Sequence, residues 1–204
     1  MCRRLAEAIA FPLAMLARRT FAEGYWPERW RLHHIIPLFK KGSVYLPGQY
    51  RGVHLTCILS KTVERIIGHP LTQFLESKGY GNAQWAFRKM SSARDLVTVC
   101  DARWILLFRQ GKKVGLYLSD ISGAFDKVSR CLLIAKLSQL GLPESFLDFL
   151  NSYLLTRQGL VRVEGAVSEA MLLIDMVFQG TELGPSLWNA FFGDIAEYIP
   201  EGRQ

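Results

Sequence analysis

Gly115-Leu116-Tyr117-Leu118-Ser119-Asp120-Ile121-Ser122-Gly123-Ala124-Phe125-Asp126 reads as an apolar strand that delivers a carboxylate and then turns through Ser-Gly-Ala. With a period of two, Asp120 shares a strand face with Val114, Leu116 and Leu118, which buries it unless the strand ends there. A buried carboxylate without a partner is costly. A divalent cation, a basic side chain or capping of the following turn would each resolve that cost. A carboxylate at the end of a buried strand is a common holder of a hard, oxygen-seeking ion, so metal-assisted phosphoryl transfer is the first functional expectation. Asp126 suits the turn itself or a cap on the helix that begins near Ser129. Phe125 reads as core or as a wall beside a bound sugar.

Downstream of that stretch the pattern predicts helix 129–140, helix 144–156, strand 159–164, strand 170–178 and helix 185–197. Gly141 can end one helix while Pro143 occupies the first turn of the next. Upstream, residues 3–22 look helical up to Gly24 and Pro27, and residues 34–39 read as a short strand. Residues 60–77 place Val63, Ile66, Ile67, Leu71, Phe74 and Leu75 at helical spacing around Lys61, Glu64 and Arg65, with Pro70 expected to bend or divide the helix. Residues 91–110 read as another helix, with Ser91 or Ser92 as N-cap. Strand 113–120 completes an α+β chain whose strands are separated by helices.

Half of the 204 residues are hydrophobic, enough for one sizeable core and too many for a disordered chain. Residues 1–115 carry 19 Lys/Arg against 7 Asp/Glu, and residues 116–204 carry 6 against 11, so a basic half adjoins an acidic one. That asymmetry suits a polyanion on one lobe and a cation on the other, although lysines and arginines also serve simply to solvate helix faces. Cys2, Cys57, Cys100 and Cys131 form no CxxC pair, which argues against a zinc ribbon or a disulfide partner and for a reducing, intracellular compartment. His33 and His34 are adjacent and read as ordinary strand or loop residues pointing to opposite faces. The apolar run after Arg3-Arg4 is broken by Glu7 and Pro12 and falls short of the ~20 residues that span a membrane.

Two further segments bear on chemistry. Phe178-Gln179-Gly180-Thr181-Glu182-Leu183-Gly184-Pro185 is a loop with two glycines before a helix start, open to a flat ligand or simply a tight turn. Pro37-Leu38-Phe39-Lys40-Lys41-Gly42, followed by Tyr50-Arg51-Gly52, sets cations on consecutive extended segments, where they can grip a triphosphate or merely be solvated.

Taken in order, Glu23-Gly24-Tyr25-Trp26-Pro27-Glu28-Arg29-Trp30, the Pro-Leu-Phe-Lys-Lys-Gly run, Tyr50-Arg51, Ser60-Lys61-Thr62-Val63-Glu64-Arg65, Gln84-Trp85-Ala86-Phe87-Arg88, the Asp120 stretch and Gln179-Gly180 resemble reverse transcriptases of non-LTR (LINE-type) retrotransposons. The resemblance runs from about residue 20 to residue 195. It implies a right-hand polymerase, with an N-terminal helix and fingers over residues 1–112 and a partial, ferredoxin-like palm over 113–204. It implies Asp120 as the first catalytic carboxylate, with the Ile121 backbone carbonyl as a further ligand of Mg²⁺, or of Mn²⁺ as the alternative. Lys40, Lys41 and Arg51 resemble the residues that neutralise the incoming dNTP, and Gly123, Ala124 and Phe125 the turn that holds its sugar, Phe125 excluding a 2′-hydroxyl. Gln179 and Gly180 resemble the loop beneath the nascent base pair, while Phe87 and Arg88 resemble template contacts. The implied partners are an RNA template and a DNA primer, with no membrane, and the implied compartment is nuclear or cytoplasmic.

The departures matter equally. Read to Gln204, the sequence lacks the aromatic-x-Asp-Asp hairpin and the thumb that the resemblance calls for, and Asp194, expected inside a helix, does not replace them. The expectation is a truncated copy or incomplete gene model with little polymerase activity of its own, or an inactive remnant that binds nucleic acid through its basic half. A metal-dependent nuclease would need a cluster of carboxylates that the sequence does not display. Gly52, Trp85-Ala86 and Glu182 also depart from the usual pattern.

Overall fold

A computed structural model describes residues 6–79, 84–88, 90–174 and 176–198. Its helices are α1 (Ala6–Ala22), α2 (Ile58–Ser77), α3 (Ala93–Arg109), α4 (Arg130–Gln139), α5 (Glu144–Tyr153), α6 (Gly184–Phe192) and α7 (Ile195–Tyr198). Its strands are β1 (Leu32–Phe39), β2 (Tyr50–Leu55), β3 (Arg157–Val163), β4 (Ala166–Val167) and β5 (Met171–Leu173). Cys2 and the Arg3-Arg4 pair lie outside the described residues.

Local chemistry accounts for the helix ends. Ser92 Oγ accepts from the Asp95 N–H and caps α3, and Ser129 Oγ accepts from the Leu132 N–H and caps α4, leaving Asp126 in the turn before it. Gly141, at φ +83°, ends α4 in the left-handed region that favours glycine. Pro143 stands at the N-cap of α5 rather than in its first turn. Pro70 does not divide α2: Val63, Ile67, Leu71 and Leu75 are buried along one stripe that runs past it, so packing holds both sides of the proline in one helix.

Helices α1, α2, α4, α5 and α6 pack around a single apolar core. Trp26 is fully buried within it and meets Trp30, Phe149 and Tyr153 edge to face. Beside this core stands a small mixed sheet in the order β2-β1-β3. The β1–β2 pair is antiparallel, β1–β3 is parallel, and β4 and β5 both run antiparallel along the far side of β3. Arg162 opposes Val167 but Gly159 opposes Met171, so the returning strand carries one extra residue, a bulge where Ser168 Oγ accepts from the Val161 N–H. The fold is thus a mixed α/β architecture whose sheet takes strands from both sides of Lys113.

Three elements differ from the pattern. Residues 113–120 form no paired strand, and Leu116 and Leu118 are 61% and 81% exposed. Period-two alternation reports an extended backbone; a strand also needs a hydrogen-bonding neighbour, and none of the described strands flanks this segment. The expected strand 170–178 is regular only at Met171–Leu173. The expected helix 185–197 is broken after Phe192, and Asp194 lies between α6 and α7, where it pairs with Lys136 at 2.7 Å.

Candidate functional site

The segment Phe178–Leu183 leads from the sheet into α6 and is held at several points. Gly180 has φ +73° and lies so close to the His54 carbonyl oxygen of β2 that a Cβ would collide with it. Thr181 Oγ1 donates to the Phe178 carbonyl at 2.6 Å, which closes the turn on itself. Phe178 is buried, whereas Gly180 is exposed, so the loop is anchored at its base and open at its tip.

Beneath it runs a chain of buried polar groups drawn from five elements. The Glu64 carboxylate of α2 accepts from the Glu182 N–H at 2.7 Å and from the Tyr153 hydroxyl of α5 at 3.2 Å. Arg157, the first residue of β3, donates to the Tyr153 carbonyl at 3.1 Å and to His33 Nε2 of β1 at 2.9 Å. Its guanidinium stacks 4.0 Å from the Phe178 ring centre and 4.6 Å from that of Tyr153. His33 Nδ1 then lies 3.1 Å from His54 Nδ1 of β2. Because a guanidinium only donates, His33 accepts at Nε2 and carries its proton on Nδ1, which donates to His54.

Electrostatics match this assignment. Burial, then the Arg157 charge, lowers His33 to about 3, and burial lowers His54 as well, so both rings are neutral near pH 7. Burial pushes the Glu64 carboxyl up; the Arg157 charge and the N–H groups of Glu182 and Leu183 pull it back toward the ionised form. Tyr153 is raised, chiefly by burial and then by the Glu64 charge, and stays a hydroxyl donor.

The stretch around Asp120 lies beside α6. Asp120 is exposed and makes no hydrogen bond or ion pair among the described residues. Ile121 and Ala124 line a cavity of about 270 Å³ with Lys136, Trp188, Phe191 and Asp194. Gly123 turns the chain at φ +63°, its carbonyl accepting from the Asp126 N–H at 3.0 Å. The Phe125 ring packs 5.7 Å from Trp188 and 6.1 Å from Phe87, and its carbonyl accepts from the Val177 N–H at 3.0 Å. Phe87, at φ +57° and largely exposed, thus meets the Phe125 turn although 38 residues of chain separate them. Arg88 is half-buried beside it.

The cations stand elsewhere. Lys40 and Lys41 are exposed where β1 leads into the turn toward β2, and the Lys40 N–H donates to the Gln49 carbonyl at 2.8 Å. Arg51 opposes Leu38 on the outer face of the sheet, whereas Gly52 and His54 face inward. Since β2 is the edge strand, Arg51 and the Gln179-Gly180 loop lie on either side of one sheet edge. At Gly52 a Cβ would meet Ile35 Cγ2 at 3.0 Å, and Glu182 pairs with Arg65 at 2.8 Å, so two of the departures have local partners.

A pair of divalent ions needs several oxygen ligands, and among the described residues no three His, Cys, Asp or Glu side chains gather at one place. Asp120 and the Ile121 carbonyl therefore do not fit such a pair by themselves. Among the described residues no helix is long and apolar enough to cross a membrane, and Cys57, Cys100 and Cys131 are free thiols.

Sequence reasoning missed the buried chain. Glu64 is not on a solvated face: it lies in the stripe Ser60, Val63, Glu64, Ile67, Leu71, whose i, i+3, i+4 spacing was itself the available signal. His33 and His34 do point to opposite faces, but His33 is fully buried and bonded at both nitrogens.

The chain is a member of the reverse transcriptase (RNA-dependent DNA polymerase) family, whose model matches residues 39–202. It is 29% identical over 185 residues to the probable RNA-directed DNA polymerase from transposon BS of Drosophila melanogaster, covering 90% of this chain and 20% of that protein. It is 29% identical over 197 residues to the RNA-directed DNA polymerase from mobile element jockey of the same species, covering 95% and 21%. The Pol polyprotein from type-1 retrotransposable element R1 of Bradysia coprophila is 26% identical over 202 residues, covering 96% and 19%. The chain spans about a fifth of the length of these curated relatives.

Proposed function

We propose that this chain forms the fingers and the first part of the palm of a retrotransposon reverse transcriptase, which extends a primer 3′-hydroxyl with deoxynucleotides on an RNA template. The observation that carries this reading is the seating of Gly180 against the His54 carbonyl. It brings a loop near residue 180 to the basic edge strand near residue 51. In that arrangement Arg51, with Lys40 and Lys41, neutralises the triphosphate, and Gln179 and Gly180 support the nascent base pair. The Gly123-Ala124 turn and the Phe125 ring bound the sugar, and Phe87 with Arg88 guides the template. Residues 1–112 are the fingers side and residues 113–204 the palm side.

Asp120 and the Ile121 carbonyl contribute to divalent-ion binding only together with carboxylates beyond the described residues. Primer extension is therefore expected from a polypeptide that joins this chain to an Asp-Asp hairpin, not from residues 1–204 alone, and Asp120→Asn abolishes it. Extension by residues 1–204 that Asp120→Asn leaves intact overturns the reading.

The solitary exposure of Asp120, set against 19 Lys/Arg in residues 1–115, favours a second reading for the chain by itself: a module that binds nucleic acid without chemistry. Each neutralised duplex phosphate adds about −0.9 to the slope of log affinity against log salt. A flat slope removes this second reading.

A further inference from the structure

A buried carboxylate needs a reason beyond stability, because an apolar side chain of similar volume often packs there at no loss. One oxygen of Glu64, Oε2, accepts from two donors that an apolar side chain would leave unserved: the Glu182 N–H at the exit of the Gln179-Gly180 loop, and the Tyr153 hydroxyl. The carbonyl of that same Tyr153 accepts from Arg157, whose guanidinium lies against Phe178 at the loop's entrance. Both ends of the loop are thereby tied to one buried unit, while Gly180 at its tip stays exposed. Apolar packing alone does not do this, since dispersion contacts are non-directional and fix no N–H.

We infer that Glu64 is a positioning residue: through the Glu182 N–H, and through Tyr153 and Arg157 to Phe178, it sets the height of the Gln179-Gly180 loop above the sheet edge. Its consequence for nucleotide binding rests on the reading of that loop given above. Glu64 itself touches no substrate. Its work is to keep the backbone at Gly180 against β2 before a base pair arrives, so that ordering the loop costs nothing at the moment of binding.

The test uses the 204-residue chain with Glu64→Met, which keeps volume without an acceptor, and Glu64→Gln, which keeps one acceptor oxygen. Amide hydrogen exchange is read residue by residue on this chain, and dTTP affinity is measured on the same variants joined to an Asp-Asp hairpin, in the presence of Mg²⁺ and an oligo(rA)–oligo(dT) duplex. In Glu64→Met the amides of residues 180–183 are expected to exchange at least tenfold faster while those of β1 and β3 keep their protection, and Glu64→Gln restores most of the difference. The dTTP dissociation constant is expected to rise about tenfold in Glu64→Met with duplex affinity unchanged. Unchanged exchange in the loop, or acceleration spread evenly over loop and sheet, overturns the positioning role. So does undiminished dTTP binding by Glu64→Met where the parent binds. If the parent binds no dTTP, the loop's assignment to the nucleotide fails, and the exchange pattern still decides whether Glu64 sets the loop.

Discussion

Helices α2 and α3 have similar lengths and opposite fates. Ile58–Ser77 buries six residues and sends Glu64 under the Gln179-Gly180 loop. Ala93–Arg109 buries none, leaves Phe108 59% exposed, and leads into the equally uncovered Leu116–Leu118 segment before Asp120. Both helices are capped or packed as local chemistry dictates, so intrinsic propensity does not separate them. What separates them is whether the rest of the described chain supplies a facing surface. In the proposed reading, the loop side of the site is tied down by these residues, whereas Asp120 stands in no group of three metal-ligating side chains among the described residues.

Breaking the built side should cost most at Arg157. Arg157→Ala leaves His33 Nε2 and the Tyr153 carbonyl without their donor, removes the positive charge that favours ionised Glu64 and opens a void between Tyr153 and Phe178. The expected loss is about 3–5 kcal/mol, a large part of a domain's stability, read from the midpoint of urea unfolding. Gly180→Ala comes next, at roughly 2–3 kcal/mol, because it combines a left-handed backbone with a collision at the His54 carbonyl. If alanine is tolerated there without loss, the loop does not sit on β2.

Acid sharpens the same comparison. His33 is held near 3 in the folded chain against an ordinary 6.5, so below 6.5 the unfolded chain takes up a proton that the folded chain refuses. Stability from neutral His33 is complete above that point and falls as pH drops, by up to about 1.4 kcal/mol per unit and roughly 2 kcal/mol by pH 5. His54, also lowered, adds in the same direction. Glu64, raised by burial, works the other way at the acid end, where the folded chain binds its proton more readily than the unfolded one. His33→Gln should flatten the slope between pH 7 and pH 5 in urea unfolding; an equal slope in parent and variant would place the titrating groups elsewhere.

These features were legible in the sequence to very different degrees. A serine cap at Ser91 or Ser92, Gly141 as a helix stop and the apolar stripe of α2 follow from neighbours within a few residues, so they read directly, whereas the cap of α4 falls to Ser129 and not to Asp126. The parallel pairing of β1 with β3 joins residues such as His33 and Gly159, whose separation in the chain no local pattern encodes. The bond between Arg157 and His33 spans 124 residues for the same reason. The burial of Glu64 follows from its position in the apolar stripe of α2 and not from its residue type, which ordinarily marks a solvated face. The exposure of Asp120 is not readable for the converse reason: alternation reports the faces of an extended segment, but burial depends on a partner strand, and none of the described strands pairs with residues 113–120.

The smallest effect belongs to Asp120 itself. Asp120→Asn removes a charge that is exposed and bonded to nothing among the described residues, so stability should change by less than ~0.5 kcal/mol. Set beside the several kcal/mol at Arg157, that near-silence is informative, because a carboxylate that contributes nothing to folding is free to serve a ligand. The sharper measurement is therefore binding rather than unfolding: in a polypeptide that includes an Asp-Asp hairpin, Asp120→Asn should leave the unfolding midpoint in place yet eliminate the stabilisation that Mg²⁺ adds in the parent. A loss of stability in Asp120→Asn without added metal would mean that Asp120 has a structural partner, and the contrast between the two sides of the site would collapse.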